Sequence, residues 1–316
     1  MSNRNNSSVI NLTIRLLLGV FFIGTAVLKL LSLDNFEIYI YSFNIFSYIT
    51  TTFFSRLLIF IELIIGISLI FKICFKQIWW LTMLMMVFFT IFLIYAAIFR
   101  NDSNCHCFGD LIELNPTQSI FKNIITLALL FIIKNEKSHD YKPVLKKWLV
   151  ASTILISLVV SFVLLPMDVI YNRIYSEKEN INTAAFYESL NDSTYVELQQ
   201  GRYLINYALA GCKYCRLGTG KVTMMLDRHG ISHDKVKFFI GGSDEAISRF
   251  IEVTNTSDYQ HWKIPASEFM SITLGKFPLY IFIEDGKVVK AGDFRILDDE
   301  IIMTLETKRD SPLRSK

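Results

Sequence analysis

A helix that crosses a bilayer needs about 20 consecutive, mostly apolar residues. Segments 9–33, 53–71 and 78–99 of this 316-residue chain meet that requirement, and 148–165 is a further span. A fifth segment, 116–133, carries Lys122 and Asn123 in its first turns. It still has a helix start at Asn115-Pro116, a capping side chain followed by proline at the first helical position. Hydrophobic residues make up 52% of the chain, in keeping with burial in lipid as well as in protein. The net charge of +3 gives no electrostatic support for nucleic-acid binding. The first apolar run is longer than the 7–15 residues of a typical signal-peptide core, so it is expected to be a retained span.

Charge sets an orientation. With five spans and a cytoplasmic N-terminus, the inner segments hold Arg4, Lys72, Lys76, Lys134, Lys137, Lys142, Lys146 and Lys147, while the outer loops hold Arg100. That asymmetry follows the positive-inside rule and predicts an extracytoplasmic C-terminal region. Glu62 falls near the middle of the second span, Arg15 inside the first, and Lys29 near its outer end. Ionisable groups at these depths face a partner or a cavity. Two readings follow for Glu62: a structural ion pair, or a proton acceptor beside a quinone.

The five cysteines are Cys74, Cys105 with Cys107, and Cys212 with Cys215. Pairs this close read as redox or metal sites rather than as a structural disulfide framework. Cys105 and Cys107 flank His106 in the loop after the third span. Redox exchange, a soft-metal site and a structural disulfide all remain open for them. A protonated His106 would stabilise a neighbouring thiolate. Cys74 reads as a small apolar residue.

The motifs Arg15-Leu16-Leu17-Leu18-Gly19, Gly24, Lys29, Glu62 with Gly66, and above all Cys105-His106-Cys107-Phe108-Gly109 resemble the MauE/DoxX-like family of membrane proteins. The resemblance covers roughly residues 9–133 and implies a four-helix membrane domain. It also implies a part in maturing disulfide-containing envelope proteins.

Past residue 165 the character changes. Segment 166–195, with Glu177-Lys178-Glu179, reads as a linker. Strands are predicted at 202–208 and 235–240, and at 279–283 with 287–289 around the turn Glu284-Asp285-Gly286. Helices are predicted at 212–229, stopped by Gly230, at 243–253 with Ser243 as cap, and at 297–306. This order is similar to a thioredoxin fold. The resemblance places Cys212-Lys213-Tyr214-Cys215 at the active site and Pro278 as a cis-proline beside it. It implies Cys212 as the nucleophile, Cys215 as the resolving thiol and Lys213 as an aid to the thiolate. Gly211 and Asn206 depart from the pattern, replacing a tryptophan and a buried acid.

The expected architecture is therefore an all-α transmembrane bundle followed by an α/β thioredoxin-like domain. Its parts are a four-helix membrane domain at 1–147, a fifth, tethering helix at 148–165, a linker at 166–195 and an extracytoplasmic domain at 196–316. The expected function is thiol–disulfide exchange. The candidate catalytic residues are Cys212, Cys215, Cys105 and Cys107, supported by Pro278, Lys213, His106 and Glu62. The expected partners are the lipid bilayer, envelope protein thiols or disulfides, and a membrane quinone. The alternative is an assembly factor or metal-handling protein without redox turnover.

Overall fold

Long apolar runs close their backbone hydrogen bonds internally only as helices, and the first part of the chain is built that way. The computed structural model describes residues 2–306 apart from 101, 103, 111, 137, 169, 171–180 and 190–192. It divides into one unit of residues 1–46 with 50–167 and a second of 47–49 with 168–316.

In the first unit the helices are α1 (Ser2–Leu31), α2 (Leu33–Tyr41), α3 (Tyr48–Phe71), α4 (Phe75–Phe99), α5 (Pro116–Ile132) and α6 (Pro143–Leu158). The last of these runs on into a π-helical turn, Val159–Val163. Four stretches are long and apolar enough to cross a membrane: Val9–Leu31, Tyr48–Phe71, Phe75–Phe99 and Pro143–Val163. Pro116–Ile132 is apolar but shorter. Its start is a reciprocal cap: Gln118 N donates to Asn115 Oδ1 at 2.8 Å, and Asn115 N to Gln118 Oε1 at 3.1 Å. The short helix α2 was not expected from sequence.

Buried charges cross-link these helices. Lys29 of α1 donates to both oxygens of Glu62 on α3, at 2.7 and 2.9 Å. Arg56 of α3 pairs with Glu37 of α2. Arg15 bonds the carbonyls of Leu69 and Ile70 at the end of α3 and lies 3.4 Å from Glu136, which also holds Lys72 at 3.0 Å. Helices α1 and α3 also touch through glycine. A Cβ on Gly19 would lie 3.0 Å from the Gly66 carbonyl, and one on Gly66 would lie 2.9 Å from the Gly19 carbonyl.

In the second unit a mixed five-stranded sheet has the order β4-β3-β2-β5-β6. Its strands are β2 (Arg202–Leu209), β3 (Val236–Gly241), β4 (Gln260–Lys263), β5 (Leu279–Glu284) and β6 (Lys287–Gly292); β1 is the four-residue Cys107–Asp110 of the first unit. β3 runs parallel to both β2 and β4, while β5 is antiparallel to β2 and β6. Central strands that are apolar on both faces need cover on both sides. One core gathers Ile205, Tyr207, Phe239, Phe269 and Ile281.

Two differences from the sequence reading concern this unit. Part of the expected linker is the helix α7 (Thr183–Ser189), whose Phe186 is fully buried in that same core. An aromatic ring with an apolar surface to cover thus binds the segment to the fold; 171–180 and 190–192 lie outside the described residues. Strand β4 and the helix Ala266–Thr273 had no signal either, because Gln260–Lys263 has no alternation of its own and is fixed by pairing with β3.

Gly66→Val should force α1 and α3 apart, at about 1–3 kcal/mol for overpacking. Thermal unfolding in detergent should show a lowered midpoint. Gly24→Ala, with nothing within 4 Å of the added carbon, should leave the midpoint in place.

Candidate functional site

The second unit positions one thiol pair by a helix start. Strand β2 ends at Leu209, and the helix α8 (Lys213–His229) begins after Cys212, which is its N-cap. Cys212 Sγ accepts from Cys215 N at 3.2 Å, so the sulfur sits where unpaired N–H groups give partial positive charge. Cys215, one turn on, is fully buried and its Sγ accepts from Leu209 N at 3.4 Å. Burial, then the hydrogen bond with Cys212, push the Cys215 thiol well above its ordinary range. Cys212 is half-buried, and the neighbouring Tyr214 is exposed, its ring parallel to Phe294.

The Phe277–Pro278 bond is cis. Leu279 pairs with Tyr207 near the end of β2, so Pro278 and the cysteine motif lie at one end of the sheet. Behind the motif, Asn206 is buried and donates to Thr219 Oγ1 at 3.1 Å and Tyr280 OH at 3.2 Å. At Gly211, nothing lies within 4 Å of an added Cβ. Lys213 is an exposed residue at the first helical position.

The first unit positions the other pair by a tight loop. Cys105 and Cys107 are both buried, in a cluster with Leu93. Between them His106 takes a left-handed backbone, φ 52°, and its N–H bonds Asn104 Oδ1 at 2.8 Å. Its ring lies 5.2 Å from that of Tyr39. Gly109, φ 64°, is required: a Cβ there would overlap Ser32 Oγ and the Leu28 carbonyl.

This arrangement makes the two thiols unequal. Cys105 lies 3.0 Å from Ser119 Oγ and accepts from Cys107 N at 3.4 Å. The hydrogen bond from the Cys107 thiol, then those from Ser119 and the Cys107 N–H, outweigh burial and lower Cys105 to about 6. Cys107 is pushed the other way, by donating to Cys105 and by burial. The loop thus favours ionisation of Cys105 over that of Cys107.

Cys107 also lines a cavity with Lys29, Glu62, Lys122 and Asn123. Its volume of ≈ 20 Å³ has room for about one water. Among the described residues, no group of three or more His, Cys, Asp or Glu side chains is arranged to hold a metal ion. Cys74 is half-buried at the start of α4, with φ 47°.

Residues 7–134 match the family of methylamine utilisation protein MauE. The match takes in the loop pair and the cavity beside it. Protein TlpB of Flavobacterium psychrophilum is 38% identical over 151 residues, which are 43% of this chain and 41% of that protein. The chain thus spans about two fifths of the length of that curated relative. No solved structure matches the chain. Over residues 7–134 the chain is similar to the MauE family, and with its four membrane-capable helices it is a membrane protein.

Ser119 and Lys122 were not among the sequence-predicted site residues of this MauE-like region. A signal for them exists. Ser119, Lys122, Asn123 and Thr126 recur at three- and four-residue spacing on an otherwise apolar helix. Such a polar stripe marks a face turned away from lipid.

Removing the Ser119 hydroxyl should make the Cys105 thiolate harder to form. With Cys74, Cys212 and Cys215 replaced by Ala, thiolate ultraviolet absorbance should rise with a midpoint near pH 6. Ser119→Ala should move that midpoint upward by about one pH unit, the worth of one hydrogen bond to a charged group. An unmoved midpoint would contradict the assignment.

Proposed function

We propose that this protein is a membrane-bound thiol–disulfide oxidoreductase whose second unit is thioredoxin-like. The carrying observation is the unequal pair at the start of α8. Cys212 caps the helix with its sulfur toward the N–H groups, and Cys215 is buried behind it. The thiolate is the attacking species in disulfide exchange, and a helix N-terminus favours it. The Cys212 thiolate attacks a partner disulfide, one new S–S bond forms, and the partner's outer sulfur leaves as a thiolate. Cys215 then attacks Cys212, releasing the second partner sulfur and closing the Cys212–Cys215 disulfide. The same steps run in reverse when the protein oxidises a dithiol. Lys213 and Pro278 support this site, and His106 supports the loop pair.

The loop pair is the second carrier in this reading. A disulfide between Cys105 and Cys107 closes a smaller ring than one between Cys212 and Cys215, and strain makes a disulfide more reducible. The partners are envelope protein thiols or disulfides, which makes the chemistry suited to envelope-protein maturation. Basic residues favour a cytoplasmic N-terminus and an extracytoplasmic second unit. Both dithiols then face the same compartment. Residues 166–182, ahead of α7, would reach up to ~55 Å if fully extended. Tethering raises the effective concentration of the two sites toward the millimolar range.

In the full-length protein, Cys215→Ser should trap Cys212 in a mixed disulfide with Cys105 or Cys107, seen by peptide mapping after mild oxidation. Cys212→Ser should abolish both the trapped species and turnover of a model disulfide. Trapping only with small thiols would separate the two halves and end the relay reading.

A C-terminal reporter that matures only in the cytoplasm should stay dark, while one that requires an oxidising compartment should be active. The opposite pattern would invert the topology.

A further inference from the structure

Lys29 and Glu62 neutralise one another across α1 and α3, at 2.7 and 2.9 Å. A second cation lines the same cavity. Lys122 of α5 lies with its ammonium 4.8 Å from the centre of the Phe108 ring and 5.7 Å from that of Phe21. Among the described residues it joins no salt bridge. Aromatic faces solvate a cation in part but do not neutralise its charge. A cation kept in the wall of an apolar bundle calls for an anion. The cavity wall that Lys122 shares contains Cys107, which is hydrogen-bonded to Cys105. Helix geometry adds a further tie: Ser119, one turn before Lys122 on α5, is the residue 3.0 Å from Cys105 Sγ.

We infer that Lys122 is the positioning cation of the loop dithiol, the counter-charge that holds the Cys105–Cys107 pair as a thiolate with a thiol. The inference rests on the exchange reading above and gives its loop half a working part. In the direction that oxidises the loop, the Cys105 thiolate attacks a partner disulfide, an S–S bond forms, and the partner's leaving sulfur departs as a thiolate. The Cys107 proton passes to a partner sulfur as Cys107 attacks Cys105 and expels the other half of the partner. Two electrons move from the loop pair to the partner disulfide. Lys122 exchanges no electrons; its charge stabilises the loop while it carries one negative charge. When the disulfide has formed that charge is gone, so a cation here favours the reduced form of the loop over its oxidised form.

Several described groups surround this pair. They are Lys122 and Ser119 from α5, Lys29 from α1, Glu62 from α3, Tyr39 from α2, and Asp102 and His106 from the loop itself. Lys29 is held in a salt bridge with Glu62, whereas among the described residues Lys122 forms none.

The test uses the full-length protein with Cys74, Cys212 and Cys215 replaced by Ala, followed by thiolate absorbance against pH. Lys122→Met should move the ionisation midpoint of the loop pair upward, by up to about one pH unit, the effect of losing an opposite charge nearby. Lys122→Arg should restore it. The Met variant should also shift the loop's equilibrium with a glutathione redox buffer toward the disulfide, about tenfold for each pH unit of movement. Should Lys122→Met fail to fold, Lys122→Gln, with a similar length and no charge, makes the same comparison. An unchanged midpoint in the neutral variants overturns the inference. So does an arginine variant as far displaced as methionine, since that marks a packing role. Trapping between Cys212 and the loop is scored separately in protein that retains Lys122. A loop that never traps but still shows the Lys122-dependent midpoint would end the relay and leave this inference standing.

Discussion

Charge inside an apolar bundle has to be neutralised by the protein itself, because lipid offers neither water nor counter-ions. The first unit is organised around that constraint. Lys29 with Glu62 joins α1 to α3, and Arg56 with Glu37 joins α3 to α2. Arg15 reaches the last carbonyls of α3 and the carboxylate of Glu136. Removing one member of such a pair typically costs about 3–5 kcal/mol, because the other is left buried and uncompensated. These bonds therefore fix which faces of the helices meet. The Gly19–Gly66 contact lets two backbones come close enough for Lys29 and Glu62 to meet squarely.

The two thiol pairs reach inequality by different routes. At Cys212 and Cys215 the backbone provides it: one sulfur caps a helix while the other is buried against Leu209 N–H. At Cys105 and Cys107 the side chains provide it, through the Ser119 hydroxyl, the neighbouring thiol and the cation of Lys122. A helix cap needs only local sequence. The loop needs α5 to be delivered to it, and for that the reciprocal cap Asn115–Gln118 fixes where α5 starts, three residues before Ser119 comes into line.

This contrast explains what was legible beforehand. Local features were readable: apolar runs long enough to span, the cap at Ser243, the stop at Gly230, the turn at Glu284-Asp285-Gly286 and the spacing of the cysteines. Long-range ones were not. Glu62 had no visible partner because Lys29 lies 33 residues away. Strand β4 exists only through β3, and Phe186 turns part of an apparent linker into a covered helix. Lys122 counted against its own span when read as a charge in lipid, whereas its place beside Cys107 depends on how α5 packs.

Asn206 bears on the proposed chemistry of the second unit. An amide takes up no proton in the physiological range, and this one is engaged with Thr219 and Tyr280. Burial pushes the Cys215 thiol and the Tyr280 hydroxyl upward, so Tyr280 is no base for it either. In the proposed exchange, Cys215 must then give its proton to the departing sulfur of the partner. In that reading a third thiol can compete for the mixed disulfide with Cys212 while Cys215 still holds its proton. A thiolate held ready at Cys105 is a competitor of that kind, and its charge is stabilised by the unit that carries it rather than by the one it attacks.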